Sequence, residues 1–576
     1  MGILDLLSIG KIKEPWDKYY TKEELNFKIP NKTMYEFVLE SKNKYPNNRA
    51  IQYFNKKITY KKLIDKIDKM ARTFTYYDIK KGDIVTICMP NTPEVLISLY
   101  ALNKIGAVAH MLHPLSAEEE IKDAVNKTKS KILLIIDMNY TKIKNIIDDT
   151  DIFKVVFIKA SDSMDIVTHI GYNLTKKKYL KYPKTEKYIS WKRFYKKYKK
   201  QKNIEIPELD KESAAVILNS GGTSGKPKYV VIPNKAFNAS AIQEKIALKK
   251  LVPGDSTIAI MPNFHGFGLS VCMHTPLSFG FYTILIPQFD SRKFDVMLNK
   301  YKPSTILGVP TLYEALIKSN NVKNLDLSYM KYVVSGGDTI NKNLEEKINK
   351  YLKQHNCDTK ITQGYGLTEG LAAVSLCFDD KNKSGSIGIP LPTNHIKIID
   401  PATRKRVKPN VIGEICISGP TIMKGYFLEE AETNDALQVH SDSRVWLHTG
   451  DMGHMDSDGF LYYDQRIKRL IITSGYNVYP SHIEEVIEKH PDVLQCTVVS
   501  MPHPYKVNVP KAFIVLREGK TASIIKKLEI KDYCKKNLAH YMCPYKIVFR
   551  KSLPKTKLGK IDFKTLQDDD GDDDIV

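Results

Sequence analysis

A chain of 576 residues exceeds what one hydrophobic core can organise, so it divides into two or more domains, and 42% hydrophobic with 27% charged residues excludes global disorder. The formal net charge of +23 favours anionic partners, but lysine is spread along the whole chain, which argues for drift in composition and against a selected nucleic-acid face. The eight cysteines, at positions 88, 272, 357, 377, 416, 496, 534 and 543, contain no C-x-x-C pair, so neither a zinc site nor a disulfide scaffold is indicated, and a reducing cytoplasm fits.

In chain order, the first segment carries Asp5 inside a short apolar run, with no basic leader and no small-residue cleavage site, so it does not read as a signal peptide. Met1-Gly2 lacks a myristoylation context because Leu6 stands where Ser or Thr is needed. Nowhere is there a run of roughly 18 apolar residues, so the protein is expected to be soluble or at most peripheral to a membrane. From Met34 to Ala117 amphipathic helical segments alternate with short apolar runs such as Ile84–Met89, and Ile132–Ile136 follows as another strand, an α/β pattern. Residues 176–202 are dense in Lys and Tyr, with Trp191 and Phe194 interleaved; without a nucleic-acid fold signature this reads as a solvated surface excursion with one amphipathic helix.

The apolar run Ala214–Leu218 then enters the loop Ser220-Gly221-Gly222-Thr223-Ser224-Gly225-Lys226-Pro227-Lys228 and leaves as a second strand, Tyr229–Ile232. Glycines let backbone N–H groups turn towards a phosphate, and the hydroxyls and Lys226 and Lys228 add donors and charge. It is not a Walker loop, because Pro227 replaces the Ser/Thr and a strand follows in place of a helix. Glycine-punctuated segments run from Gly336 to Gly388 and from Gly413 to Gly475. Beyond Pro480 a compact unit of about a hundred residues is expected: helix Ser481–Lys489, strands Gln495–Met501 and Ala512–Leu516, helix Ile524–Asn537, then a loop to Lys560. The acidic tail reads as disordered.

The loop NSGGTSGKPK resembles the phosphate-binding loop of the adenylate-forming superfamily. Five further blocks follow in that family's order: Pro262-Asn263-Phe264-His265-Gly266, Gln363-Gly364-Tyr365-Gly366-Leu367-Thr368-Glu369, His448-Thr449-Gly450-Asp451, Gln465-Arg466-Ile467-Lys468, and Pro554 to Lys560 with Lys557-Leu558-Gly559-Lys560. Any one block is weak, but their order makes coincidence untenable. The resemblance implies an α/β fold with a large N-terminal domain, 1–467, of sheets, helices and a barrel-like subdomain. A hinge joins it to a small α+β C-terminal domain, 468–576.

It further implies an acyl-CoA synthetase that converts a carboxylic acid to its acyl-AMP with ATP and Mg²⁺, then to a CoA thioester. Adenylation is phosphoryl-type displacement, so positioning and charge neutralisation carry it. By the family's pattern Ser220 to Lys226, Thr223 and Ser224 above all, cradle the phosphates with Thr368. Glu369 holds Mg²⁺, Tyr365 between Gly364 and Gly366 stacks on adenine, Asp451 takes the ribose hydroxyls and Arg466 backs it. Lys560 bridges the charge developing between carboxylate and α-phosphate. Lys468 is the hinge, and Ser474, Gly475 and Tyr476 line the pantetheine path. Taken singly, Glu369 reads as a helix-start carboxylate, Asp451 as a turn residue and Tyr365 as core; the registration of the blocks reverses those readings.

For the acid, His265 matches a gate, with Gly266, Phe267, Gly268, Val309, Gly337 and Ala372 to Val374 as walls. Amino-acid-activating relatives carry an Asp where His265 stands, so an uncharged, fatty tail is expected. A carrier-protein thiol is the alternative acceptor, and contact with a membrane surface is left open; nucleic acid is not expected. The different-class alternative, a basic non-catalytic protein binding nucleic acid or membrane, would predict decayed blocks, and they are intact. The sequence departs from the family at Tyr229, which replaces a glycine, at Ser224, and around Lys506 to Pro510.

Overall fold

The computed structural model describes residues 14–175, 182–183, 185–220, 227–469, 471–473, 476–503, 507–556 and 561–569. Its chain contacts divide into two units: residues 1–396, 417–447 and 458–460, and residues 397–416, 448–457 and 461–576.

The first unit is built on two large sheets. An eight-stranded sheet runs in the order Gly425–Tyr426, Lys228–Pro233, Ala214–Ser220, Val108–Met111, Ile84–Cys88, Ile132–Ile136, Lys154–Ile158, Tyr188–Ser190. From Ala214–Ser220 to Tyr188–Ser190 its neighbours are parallel. Parallel strands are covered on both faces, which is why Ile84–Cys88 reads as one apolar run and is buried throughout. A nine-stranded sheet places Ile361–Gly366 beside Tyr332–Ser335, Thr305–Gly308, Ser256–Ala259 and Tyr282–Leu285, with Ala373–Leu376 on its other side. Its core gathers Ile258, Ile284, Phe294, Ile306, Tyr313 and Val333.

The expected strands are found at Ile84–Cys88 and Ile132–Ile136, and the glycine-rich loop leaves Ala214–Ser220 and returns through Lys228–Pro233 as an antiparallel hairpin. Within 182–202 the expected helix is Trp191–Tyr195, preceded by the edge strand Tyr188–Ser190. Phe194 is buried and stacks on Tyr77 at 4.9 Å, so this excursion is anchored at its aromatic residues.

In the second unit the helices Pro480–Glu488 and Ile524–Asn537 and the strands Val493–His503 and Val507–Leu516 match the expected order. One element differs: the expected loop contains a strand, Lys546–Phe549, parallel to Val507–Leu516. Three consecutive apolar residues, Ile547 to Phe549, suffice to fill the edge of that sheet and are buried there. The barrel-like subdomain is also corrected. Among the described residues it is an open five-stranded sheet, ordered His395–Ile399, Gly413–Ser418, Val445–Met455, Leu437–Val439, with Leu461–Arg466 also on Val445–Met455. Among the described residues the outer strand Leu437–Val439, three residues long, pairs with Val445–Met455 alone, so the ladder does not close.

Candidate active site

The glycine-rich hairpin ends in the pairs Asn219 opposite Tyr229 and Ser220 opposite Lys228. Ser220 is buried at the strand end, while Gly221, Gly222, Thr223, Ser224, Gly225 and Lys226 lie outside the described residues. The structure accounts for Tyr229. Its ring is buried 5.5 Å from the His110 ring and beneath Lys127 Nζ at 4.9 Å, and its carbonyl accepts from Phe427 N–H at 2.7 Å. Burial pushes its phenol up to about 12. His110, fully buried, links the hairpin to the sheet: Nδ1 lies 3.0 Å from Thr86 Oγ1 and Nε2 3.2 Å from Asn219 Oδ1. Burial lowers its pKa to about 4, so the ring is neutral and Nε2–H donates to Asn219.

The Gly364 to Glu369 block lies at the end of Ile361–Gly366, where pairing with Ala373–Leu376 shifts register between Tyr365 and Gly366. A Cβ on Gly366 would fall 1.5 Å from the Ala372 carbonyl oxygen, so only glycine fits this crossing. Tyr365 is buried, and the chain turns through Thr368–Gly370. Glu369 is half-buried, its Oε1 accepts from the Tyr426 hydroxyl at 3.0 Å, and its carbonyl accepts from Met423 N–H at 2.8 Å. Tyr426 pairs with Val230 on the returning strand of the glycine-rich hairpin, and Lys228 Nζ lies 4.4 Å from its ring centroid. One tyrosine thus joins Lys228 to Glu369, a connection the sequence reading missed because Gly425-Tyr426 looked like one more glycine-punctuated turn.

The segment around His265 is held from below by amides. Asn263 Nδ2 donates to the Met89 carbonyl at 2.9 Å, and Asn91 Nδ2 donates to the Ala259 carbonyl at 2.9 Å. His265 lies against Phe264 at 4.8 Å, and the chain continues as a π-helical stretch, Phe267–His274. The candidate wall residues converge. Added Cβ atoms would come 1.6 Å from the Leu371 carbonyl oxygen at Gly266, 2.0 Å from the Pro262 carbonyl oxygen at Gly268, and 3.7 Å from Phe267 at Gly336. Gly337, at φ +79°, would meet Val309 at 3.5 Å, and Ala372 and Val374 are buried.

Asp451 and Arg466 belong to the second unit. They are opposite each other across an antiparallel pair, Arg466 Nε is 2.9 Å from Asp451 Oδ1, and Asp451 is buried. Arg466 also donates to the Thr449 carbonyl at 3.0 Å, and Thr449 Oγ1 donates to the Ile415 carbonyl at 2.7 Å. Gly450 takes φ +66° between them, which glycine tolerates without strain. Glu414, which the sequence reading did not single out, braces this turn: Oε1 accepts from Gly450 N–H at 3.1 Å and Oε2 lies 2.9 Å from His448 Nδ1. Burial alone would raise its carboxyl, but the bonds from His448 and Gly450 outweigh it and hold it below the usual range. Cys416 Sγ lies 3.7 Å from the same Nδ1, so three cation-competent donors meet. The Arg404 guanidinium also stands 2.9 Å from that nitrogen, so Nδ1 either donates to Glu414 or accepts from Arg404, and either way the cluster is a hydrogen-bonded brace.

Lys468 lies in the turn Ile467–Arg469, and Tyr476 opens the strand Tyr476–Val478 opposite Thr473. Ser474, Gly475 and Lys560 lie outside the described residues.

Comparison with known proteins places these features in a family. The model described as AMP-binding enzyme matches residues 38–427, and the AMP-binding enzyme C-terminal domain matches 482–560. A long-chain-fatty-acid–CoA ligase of Bacillus subtilis is 30% identical over 555 residues, covering 95% of this chain and 97% of that protein. One from Escherichia coli is 28% identical over 91% of this chain and 92% of its own length. Among solved structures, ATP-bound MatB from Rhodopseudomonas palustris superposes with a TM-score of 0.80 at 22% identity, over 93% of this chain and 98% of that one. With the ordered blocks, the hairpin and both domain matches in agreement, the chain belongs to the AMP-binding enzyme family.

Proposed function

We propose that this protein is an AMP-forming acid–thiol ligase that activates a fatty acid as its acyl-adenylate and transfers the acyl group to coenzyme A. The observation that carries the reading is the junction of Lys228, Tyr426 and Glu369, which brings a carboxylate to the strand returning from the phosphate loop. A carboxylate there suits Mg²⁺, a hard cation that takes carboxylate and phosphate oxygens together, and the half-buried Glu369 fits as its protein ligand. Bound there, Mg²⁺ would neutralise phosphate charge. Thr223, Ser224 and Thr368 donate to the phosphates, Tyr365 stacks on adenine, and Asp451, fixed by Arg466 and the Glu414 brace, accepts from the ribose hydroxyls. Lys560 neutralises the charge that develops as the carboxylate oxygen attacks the α-phosphorus and pyrophosphate leaves.

In the second step the thiol sulfur attacks the acyl carbon, the bond to AMP breaks, and the thiol proton is released. Lys468 at the 467/468 boundary is the pivot between the two half-reactions, and Ser474 to Tyr476 line the thiol's approach. The walls beside His265 are glycines and apolar side chains, which suit an uncharged tail. No helix among the described residues is long and apolar enough to cross a membrane, and a cytoplasmic site of action is proposed.

The test is kcat/KM for acetate, butyrate, octanoate, palmitate, benzoate and alanine, with pyrophosphate release followed with and without CoA. Each added methylene is worth ~0.8 kcal/mol, so values should rise roughly three- to fourfold per carbon until the pocket ends. Alanine as the preferred acid would overturn the pocket reading. Pyrophosphate release without a CoA thioester product would assign the acceptor to a carrier protein.

A further inference from the structure

Glu414, Cys416 and His448 meet in a way that suits a small cation. Glu414 and Cys416 stand two residues apart on the strand Gly413–Ser418, so their side chains leave the same face, and His448 comes from the adjoining strand Val445–Met455. One ligand atom from each, a carboxylate oxygen, the sulfur and a ring nitrogen, lies within 4.8 Å of the other two. All three belong to the second unit; Glu414 and Cys416 are buried, and the His448 side chain is only 6% exposed.

The spacing fits tetrahedral zinc, whose bonds place nitrogen about 3.5 Å from sulfur and about 3.4 Å from oxygen. His448 Nδ1 is 3.7 Å from Cys416 Sγ and 2.9 Å from Glu414 Oε2. A shift of about 0.5 Å in one side chain therefore brings the set to bonding distance. Thiolate, imidazole and carboxylate together select a borderline cation such as Zn²⁺ or Co²⁺, whereas Mg²⁺ takes oxygen ligands, so this set differs in kind from Glu369.

The group that now stands at the convergence is itself a cation, the Arg404 guanidinium, 2.9 Å from Nδ1. Nδ1 can donate to Glu414 or accept from Arg404 but not both, so in either tautomer one of these two hydrogen bonds is left unmade. A metal ion resolves that conflict, because it takes the nitrogen lone pair and the carboxylate at once. Arg404 is exposed, at φ +58° between the strands His395–Ile399 and Gly413–Ser418, so its guanidinium can turn into water at little cost. The position it leaves would take a water as fourth ligand.

We propose that Glu414 Oε2, Cys416 Sγ and His448 Nδ1 form a binding site for a zinc-class divalent cation, which replaces the Arg404 guanidinium. Burial and the neighbouring Glu414 push the Cys416 thiol up, so it enters as S–H, and its proton passes to solvent as the metal–sulfur bond forms. Glu414 Oε1 accepts from Gly450 N–H, so the ion ties together the two strands at the root of the turn that carries Asp451. Binding itself needs no acid, ATP or CoA.

The experiment is a Co²⁺ titration of the full chain without an affinity tag, kept reduced by a phosphine, in the absence of substrates. Wild type should develop a thiolate-to-cobalt charge-transfer band that saturates at one equivalent; Zn²⁺ should abolish it by displacement, and excess Mg²⁺ should leave it. Cys416→Ser should lose the band. Arg404→Gln removes the competing cation from an exposed position and should tighten Co²⁺ binding about tenfold. Thermal melting without metal reports whether each variant is folded, and if Cys416→Ser is not, the Arg404→Gln affinity decides. Absence of the band in wild type overturns the proposal, as does unchanged affinity in Arg404→Gln. A band that survives in folded Cys416→Ser also overturns it and gives the metal to another thiol.

Discussion

Two of the proposed residue roles can be separated by kinetics. Lys560→Ala should abolish adenylate formation, measured as acid-dependent ATP–pyrophosphate exchange, while thioester formation from supplied acyl-AMP is retained, because its charge is required only in the first step. Equal loss of both would remove that role. Tyr426→Phe deletes the hydroxyl that holds Glu369 and leaves the ring under Lys228. A hydrogen bond to a charged group is worth about 1.5–3 kcal/mol, so kcat/KM for MgATP should fall about tenfold or more, with partial recovery at raised Mg²⁺. An unchanged value would show that Glu369 does not depend on Tyr426. The roles of Thr368 and Glu369 are the ones proposed above; their placement in a turn straight after the Gly364-Tyr365-Gly366 run was legible from the chain. Tyr426, Glu414 and His110 were not, because each acts through a partner 34 or more positions away and stands in an ordinary local context.

At the scale of elements, apolar runs and turn glycines located the hairpin around the phosphate loop and the helices and strands of the second unit, since burial of one face imposes a period on the sequence. The strand Lys546–Phe549 was hidden because four residues are too few to show a period. The openness of the five-stranded sheet was hidden because closure depends on strand pairing that no local pattern encodes. Buried charge was equally invisible. The helix Asn234–Ala247 carries Glu244 into the core, where Ser240 Oγ donates to it at 2.7 Å and burial raises its pKa to about 7. A carboxyl raised above its unfolded value stabilises the fold fully below about pH 4.5, and the contribution is lost as pH rises towards 7. Glu244→Gln keeps the shape and cannot ionise. Relative to wild type it should therefore gain stability between pH 4.5 and 7, by up to about 3 kcal/mol, read as a growing difference in Tm. A difference independent of pH would mean that Glu244 is ionised in the folded protein at neutral pH.

For the whole molecule, one chain is read as running two half-reactions, an attack of carboxylate oxygen on the α-phosphorus followed by an attack of sulfur on the acyl carbon. Of the residues given roles in that proposal, the glycine-rich hairpin, Glu369 and the apolar walls belong to the first unit, and Asp451, Arg466, Lys468 and Lys560 to the second. This sequence of bonds leaves a label that no competing route reproduces. With a fatty acid carrying ¹⁸O in both carboxylate positions, one labelled oxygen becomes the bridge to phosphorus and departs with AMP when the thiol attacks. The central measurement is the mass spectrum of the nucleotide and phosphate products after turnover with ATP and CoA. The account predicts AMP carrying one ¹⁸O, unlabelled pyrophosphate and a thioester retaining one ¹⁸O. ADP with ¹⁸O in inorganic phosphate would show an acyl-phosphate route and contradict it.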